Sequence, residues 1–239
     1  ALTDAERLDL IGRNVARLAR SPALPKREVE PFTGDHARLI LQAATGERLG
    51  AYLTVVVAVG LRASEGLGLS WRDVDLEGGT LTVTHQLAQR DGEFFLEEPK
   101  SAASCRTVAL PRFAVDALRT RRIRQYEEKL EAGEAWANDL DLVFTTEQGR
   151  PLHRRNVLRW FQGFLRREGL PVKGIKELRH TAASLLHAQG LSDRAIMEVL
   201  GHSDVRVTMN IYTHIFDEGK RGAADRMDEA LGSGVGRRA

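Results

Sequence analysis

The sequence predicts an α+β fold that is mostly α-helical and carries one small antiparallel β-sheet. Apolar residues recur at three-to-four spacing along most of the chain, which is typical of helices that cover a core. Short β-prone runs lie between Thr80 and Ala109, where a Gly-Gly pair precedes the first run and an Asp-Gly pair stands before the second. Strands gathered in one region, with helices before and after it, indicate a small sheet packed on a helical body.

The composition is that of a globular chain. Of its 239 residues, 42% are hydrophobic and 28% charged, which allows a sizeable core. No run of about 18 uncharged apolar residues occurs, and this excludes a transmembrane helix. Because Cys105 is the one cysteine, we expect no internal disulfide, no cysteine-rich zinc framework and a reducing, cytoplasmic location.

The N-terminal segment predicts the end of another domain. Residues 3–20 carry leucine, isoleucine and valine at helical spacing, and a lone amphipathic helix cannot bury its own face. The proline-rich stretch that follows cannot be helical. We therefore expect residues 1–21 to be the remnant of an N-terminal domain and residues 22–31 to be a linker. A start without Met or a basic-plus-apolar leader is typical of a trimmed fragment, not of a signal peptide.

The main body is expected to begin with two helices and the sheet. Thr33 can cap a helix through about Ala44, and residues 51–59 are apolar nearly all round, as in a core helix. Pro111 opens a long helix that ends near Gly133. The expected strands are residues 80–83, 93–96 and 106–109.

The second half of the chain predicts consecutive helices. Gly169, Gly190 and Gly201 stand where the left-handed residue after a helix is expected. We interpret residues 32–216 as one domain and residues 217–239 as a C-terminal helix with a flexible basic tail. The expected helices lie near residues 153–168, 177–189, 192–200, 203–214 and 217–230.

The net charge of +2 hides two unlike regions. Residues 150–180 carry nine lysines and arginines against two acids, whereas residues 65–98 carry eight acids against two arginines. One basic face is the pattern expected of a protein that binds a polyanion. By charge alone, a solvated surface of mixed sign is the commoner explanation.

Two motifs place a cation where it needs a partner. In Gly-Leu-Arg-Ala-Ser-Glu at 60–65, Arg62 follows an apolar helix and Glu65 is spaced to pair with it, which a purely structural ion pair also explains. Lys100 follows a proline at a turn between β-prone runs, where it can donate a proton if its pKa is lowered. Most turn lysines are simply solvated.

Two further motifs lie near the C-terminus. Lys-Glu-Leu-Arg-His-Thr-Ala-Ala at 176–183 puts two cations at a helix start, where they repel the helix dipole unless an anion is present. Leu-Gly-His-Ser at 200–203 precedes Tyr212 and His214. Residues 191–203 also resemble a helix-turn-helix, and a lone tyrosine on an amphipathic helix is more often a core-edge residue than a nucleophile.

Taken together, these motifs resemble the active-site series of the tyrosine recombinases, the phage integrase family. Their order and approximate spacing match over about residues 31–215, and the leading helix and linker resemble the end of the family's core-binding domain. The residues that carry the resemblance are Arg62, Lys100, Lys176, Arg179, His202 and Tyr212.

The resemblance implies a metal-free transesterification of DNA. Arg62 and Arg179 would clamp the scissile phosphate, and Tyr212 would attack it to give a 3′-phosphotyrosine. Lys100 would protonate the departing 5′-oxygen, and His202 would hydrogen-bond the phosphate. No metal ion, ATP or other cofactor is expected.

The remaining motif residues have supporting roles in this interpretation. Glu65 would orient the cations, while His180 and His214 would be structural. Lys176 departs from the family, which usually has a histidine there that is assigned to general-base work; we favour a phosphate ligand over a base. Arginines before and on the 153–168 helix would contact DNA phosphates. These are Arg150, Arg154, Arg155 and Arg159.

The resemblance also implies partners: duplex attachment sites, a homotetramer on DNA, and accessory DNA-bending proteins, with no membrane. Residues 217–239 would dock on a neighbouring protomer. Two alternatives remain open at this point. One is a non-enzymatic DNA-binding regulator that uses residues 191–214 as a helix-turn-helix, and the other is a type IB topoisomerase with the same chemistry.

Overall fold

The computed structural model describes residues 2–19, 30–99 and 104–201. Eight α-helices and five short strands lie within these ranges, which confirms the predicted α+β class. No helix in the described part of the chain is long and apolar enough to cross a membrane. The predicted helices at 203–214 and 217–230 fall outside the described residues.

The N-terminal segment is not the continuous helix that its apolar spacing predicted. Helix α1 is short, Leu2–Arg7, and ends before Asp9, which has a left-handed φ of 52°. A 3-10 turn at Val15–Arg17 follows, capped by the side chain of Asn14. Leu8 stays 69% exposed. Helical periodicity stabilises a helix mainly through the face it buries, and local turns prevail where that face stays in solvent.

Helices α2 (Gly34–Ala43), α3 (Gly50–Val59) and α5 (Arg112–Ala132) form the centre of the main body. Thr33 caps α2 as predicted, since its hydroxyl accepts the backbone N–H of His36 at 3.1 Å. Helix α3 buries seven of its ten residues, and it packs against α2, α5 and α7. The predicted Gly-Leu-Arg motif follows directly after this apolar helix.

The strands form two sheets where the sequence predicted one. Strands β1 (Val74–Asp75), β2 (Thr80–Val83) and β5 (Arg106–Ala109) make an antiparallel sheet in the order β1-β2-β5. Strands β3 (Gln86–Arg90) and β4 (Glu93–Glu97) make a separate hairpin closed by the Asp-Gly turn. A tight two-residue turn closes such a pair by itself, and sequence alone does not show that the hairpin leaves the sheet.

The hairpin lies on the short helix α4 (Ala63–Leu67), which the sequence analysis did not predict. A side chain at Gly68 would come within 2.5 Å of the backbone nitrogen of Leu87. A glycine there therefore lets the base of β3 pack directly on the end of α4. The Arg62 motif and the hairpin are in this way built into one unit.

Helices α6 (Arg154–Arg167), α7 (Ile175–Ala188) and α8 (Asp193–Leu200) lie within about two residues of their predicted bounds. Helix α6 buries Phe161 and Phe164 and leaves its arginines exposed. Helix α8 packs on α7 through Ile196 and Leu200. It ends at Gly201, whose φ of 66° is left-handed as expected for that glycine.

Candidate active site

Arg62 is placed by a change of direction between two helices. Helix α3 ends at Gly60, which has a φ of 65°, and α4 starts three residues later. The Glu65 side chain accepts the backbone N–H of Arg62 at 2.9 Å, which caps α4 from within. The motif Gly-Leu-Arg-Ala-Ser-Glu thus encodes a turn that points Arg62 away from the core.

The Glu65 carboxylate is the centre of an ion cluster. Its side chain is 1% exposed, and it contacts Arg62 Nη1, Arg106 Nη2 at 3.2 Å and Arg179 Nη1 at 3.8 Å. Burial alone would raise the pKa of Glu65, but Arg106 and Arg62 hold it below its ordinary value. The carboxylate is therefore charged at neutral pH.

The same three arginines bind the C-terminal end of α8. The last carbonyls of a helix lack intrahelical partners and carry partial negative charge, so guanidinium donors satisfy them and stabilise the helix end. Each arginine takes a different, consecutive carbonyl. The bonds are Arg106 Nε to Val199 O at 2.7 Å, Arg179 Nη2 to Leu200 O at 2.6 Å and Arg62 Nη2 to Gly201 O at 3.0 Å.

Arg179 is the most deeply fixed of the predicted arginines. It lies on α7, its side chain is 6% exposed, and its Nη1 donates to the carbonyl of Gly60 at 2.6 Å. Burial, together with the charges of Arg62 and Arg106, lowers the pKa of Arg179 to about 9 against the opposing effect of Glu65. The guanidinium remains charged at pH 7.

Arg62 is the member of the cluster that reaches solvent. Its side chain is 37% exposed, and its Nη1 also contacts Ser104 Oγ at 3.3 Å. Among the described residues, the cluster holds three guanidinium groups around a single carboxylate. An excess of buried positive charge is costly unless an anion compensates it, so the geometry favours an anion at Arg62.

Lys176 and His180 lie on the same helix as Arg179 but in different environments. Lys176 is exposed in the first turn of α7. His180 is buried, and its ring nitrogens have no hydrogen-bond partner among the described residues. Burial, with Lys176 and Arg179 nearby, lowers the pKa of His180 to about 4, so the imidazole is neutral at pH 7.

A cleft of about 620 Å³ lies between α4, the β3–β4 hairpin and the start of α6. Ser64 connects two of its walls by donating to Gln86 Oε1 at 3.1 Å, and Gln86 in turn donates to Glu97 at 2.8 Å. Arg154 and Arg155 line the opposite wall. A cleft that carries two arginines and reaches Ser64, two residues after Arg62 in the sequence, can bind a chain of phosphates.

The predicted DNA-contacting arginines are exposed and unpaired. Within the described residues, none of them forms a salt bridge with a carboxylate, whereas Arg38 on α2 and Arg167 at the end of α6 do. Unpaired surface guanidinium groups are free to bind phosphate oxygens. The four residues are Arg150, Arg154, Arg155 and Arg159.

The structure thus brings Arg62, Glu65 and Arg179 into one cluster, with His180 and Lys176 on the helix that carries Arg179. The other predicted site residues lie outside the described ranges and stay predictions: Lys100, His202, Tyr212 and His214. No group of three or more histidine, cysteine or acidic residues suited to a metal ion occurs in the described part of the chain.

Sequence reasoning missed the part played by Arg106. The sequence placed Arg106 only at the start of an expected strand, yet its side chain is 6% exposed and it bonds Glu65. A signal was present, because Arg106 alternates with Val108 on a strand whose partner buries Leu81 and Val83. A strand position of that kind needs a buried acceptor if it holds an arginine.

The chain belongs to the phage integrase family, whose model matches residues 30–218. It is 35% identical over 213 residues to a XerC-like tyrosine recombinase of Caldanaerobacter subterraneus subsp. tengcongensis, and 32% identical over 220 residues to an integrase of Streptomyces ambofaciens. These matches cover 84% and 85% of the chain but only 54% of each relative. The chain therefore spans about half the length of these curated relatives.

The fold is also that of a solved integrase. The Tn1549 transposon integrase, determined in complex with transposon right end DNA, superposes with a TM-score of 0.71 at 21% identity. The match covers 90% of this chain and 70% of that one. At this identity the likeness shows the shared fold.

Proposed function

We propose that this chain is the catalytic part of a site-specific DNA recombinase that cuts and rejoins DNA through a 3′-phosphotyrosine and a Holliday junction. The observation that carries the proposal is the arginine cluster, in which Glu65 is outnumbered by guanidinium groups and Arg62 faces solvent. Such a cluster is completed by a phosphodiester, whose charge grows in the transition state. Relatives named tyrosine recombinase and integrase support the same activity.

The chemistry follows from what each side chain can do. The Tyr212 oxygen attacks phosphorus and releases its proton to solvent water, the bond from phosphorus to the 5′-oxygen breaks, and Lys100 protonates that oxygen. Arg62 and Arg179 neutralise the non-bridging oxygens, and His202 donates a further hydrogen bond. Rejoining is the same reaction in reverse with a new 5′-hydroxyl, so no ATP or metal ion enters.

Lys176 serves in this proposal as a ligand for the phosphate and not as a base. Its ammonium group is exposed on the helix that carries Arg179, and a charged ammonium cannot accept a proton. His180 and His214 are supporting residues. The neutral, buried His180 packs in α7 without adding charge to the cluster.

The proposal extends to domains and partners. Residues 1–21 are the end of an N-terminal domain, 22–31 a linker, 32–216 the catalytic domain, and 217–239 a segment that docks on a neighbouring protomer. The partners are duplex attachment sites, bound by four protomers with accessory DNA-bending proteins, in the bacterial cytoplasm or nucleoid. The relative solved in complex with transposon end DNA supports a duplex partner.

The alternatives make different demands on the cluster. A helix-turn-helix regulator does not need the cluster of arginines around Glu65. Burying these positive charges lowers stability, and the cluster makes no contact with bases. A type IB topoisomerase would use the same cluster but would relax supercoiled DNA without exchanging partners. Plasmid relaxation without recombinant products would support that alternative.

The test is covalent capture. Duplexes selected by binding from a random pool are nicked at successive positions and incubated with the protein, and an SDS-stable, protease-sensitive adduct is sought. We expect an adduct with the unmodified protein and with Tyr126→Phe, which alters an exposed tyrosine on α5, and none with Tyr212→Phe. Bound DNA without an adduct at any nick position would refute strand transfer.

A further inference from the structure

All three nitrogen atoms of the Arg106 guanidinium group donate hydrogen bonds within the protein. From β5, its Nε donates to the carbonyl of Val199 at 2.7 Å, its Nη1 to the carbonyl of Ser104 at 2.9 Å, and its Nη2 to Glu65 Oε2 at 3.2 Å. The side chain is 6% exposed. Arg106 therefore links three parts of the chain, namely α4, the start of β5 and the end of α8.

Burying the charged side chain of Arg106 lowers the stability of the fold, which a purely structural residue would not need to do. Burial lowers the pKa of Arg106, against the opposing effect of Glu65. The positive charge of Arg62 adds to the cost. A hydrophobic residue on the strand would avoid both penalties, since replacing buried ion pairs by apolar groups is often neutral or stabilising. What an apolar residue cannot do is fix the positions of a carboxylate and a helix end at once.

We propose that Arg106 is a positioning residue for strand transfer, which holds Glu65 and the C-terminal end of α8 in one fixed geometry. Arg62 depends on both, because it bonds Glu65 and the carbonyl of Gly201. The residue after Gly201 is His202, so the end of α8 also sets where the chain toward the predicted histidine and tyrosine begins. The inference rests on the proposed function and extends it to a residue that does not touch DNA.

The planar, five-donor shape of arginine is essential to this role. A lysine at position 106 would keep a positive charge near Glu65 but could not reach three acceptors that lie around one plane. Arg106→Lys should therefore preserve the charge and lose the geometry. Arg106→Gln should lose both.

A matched control is available in Arg121. It is another buried arginine, paired with Glu128 at 2.9 Å and bonded to the carbonyl of Val143, but it lies on α5 away from the cluster. Arg121→Gln removes a comparable buried ion pair with a purely structural role. Its effect on folding calibrates that of Arg106→Gln.

The first experiment measures hydrogen exchange of the free protein, with peptides covering α8, α4, α5 and α6. In Arg106→Gln and Arg106→Lys we expect exchange at least tenfold faster in α8 and α4 and unchanged in α6. Arg121→Gln should accelerate exchange in α5 instead. Unchanged exchange in α8 of both Arg106 variants would overturn the positioning role, whether or not the protein cuts DNA.

The second experiment measures adduct formation at saturating DNA. We expect Arg106→Gln to slow adduct formation at least tenfold while DNA affinity stays within about twofold. The fall of the rate at acid pH should begin at a higher pH in this variant, because the Glu65 carboxylate loses a stabilising positive charge. Arg106→Lys should restore the pH profile but not the full rate. A variant that behaves like Arg121→Gln would overturn the inference. An unmodified protein that forms no adduct would instead refute the proposed function, and hydrogen exchange would still decide the role of Arg106.

Discussion

Arg62 donates a hydrogen bond from Nη2 to the carbonyl oxygen of Gly201 at 3.0 Å, which joins residues 139 apart in the sequence. The bond connects the start of α4 to the last described residue after α8. It satisfies an unpaired carbonyl at a helix end while leaving Arg62 partly open to solvent. A phosphate bound at Arg62 would thus lie beside the point where the chain continues to His202.

Arg62 and Arg179 should respond differently to the same substitution. Arg179→Gln leaves the buried carbonyls of Gly60 and Leu200 without donors, which should cost about 2–3 kcal/mol of unfolding free energy. Arg62→Gln also removes donors to Glu65 and to the carbonyl of Gly201, but water reaches this 37% exposed side chain and two arginines remain on Glu65, so the loss should be smaller, about 1 kcal/mol. Urea unfolding of both variants measures the difference. Equal losses would show that the two arginines have the same structural role.

Glu65 should make the folded protein sensitive to acid. Because its pKa is held below the ordinary value, the charged carboxylate stabilises the fold above the unfolded pKa near 4.5, and this stability disappears as pH falls through the folded pKa. Glu65→Gln should flatten the stability profile below pH 4.5 and lower stability by about 3 kcal/mol at pH 7. Urea midpoints between pH 7 and 3 measure this, with the exposed Glu127→Gln as control. A profile unchanged from the unmodified protein would contradict the charged cluster.

His180 should make the stability of the fold depend on pH in a higher range than Glu65 does. Its pKa falls from 6.5 to about 4 on folding, so its neutral form stabilises the fold above pH 6.5 and that contribution is lost as pH falls toward 4. The lost stability amounts to about 3 kcal/mol. His180→Leu should remove the pH dependence in this window, as urea midpoints at pH 7, 5.5 and 4 would reveal. A slope that persists in the variant would assign it to another group.

Gly60 should tolerate no side chain. Its φ is 65°, and a Cβ would come within 2.2 Å of Leu200 Cδ2. Gly60→Ala should therefore cost at least about 2 kcal/mol, from backbone strain and from overpacking against α8. Gly46→Ala is a matched control, since it shares a left-handed φ of 83° but has open space around its Cβ position. Similar losses in the two variants would show that strain alone matters.

Arg154 and Arg155 should contribute to DNA affinity without contributing to stability. The double change Arg154→Gln and Arg155→Gln should lower the slope of log K against log salt by about 2, since each phosphate contact releases counterions. Fluorescence anisotropy between 50 and 300 mM salt on a labelled duplex measures it. The control is Arg38→Gln, whose arginine pairs with Asp35 at 2.6 Å. An equal fall in slope for the control would show that the cleft is not part of the DNA-binding surface.

Local patterns in the sequence identified most helices of the main body. Helix α3 was visible as an apolar run, α8 from its terminal glycine, and Arg62 with Glu65 from their spacing. In these cases the interaction that forms the element lies within a few residues. Sequence could not show that the N-terminal apolar stripe stays unburied, because that depends on the surface available to cover it.

By itself, the sequence determined the α+β class, the family resemblance and the residues proposed to do chemistry. Only the tertiary structure decided that the hairpin leaves the sheet to lie on α4, and that Arg106 joins Arg62 and Arg179 around Glu65. The reason is physical. Helix periodicity and turn preference are local, whereas the bonds from three arginines to Val199, Leu200 and Gly201 exist only after distant segments pack together.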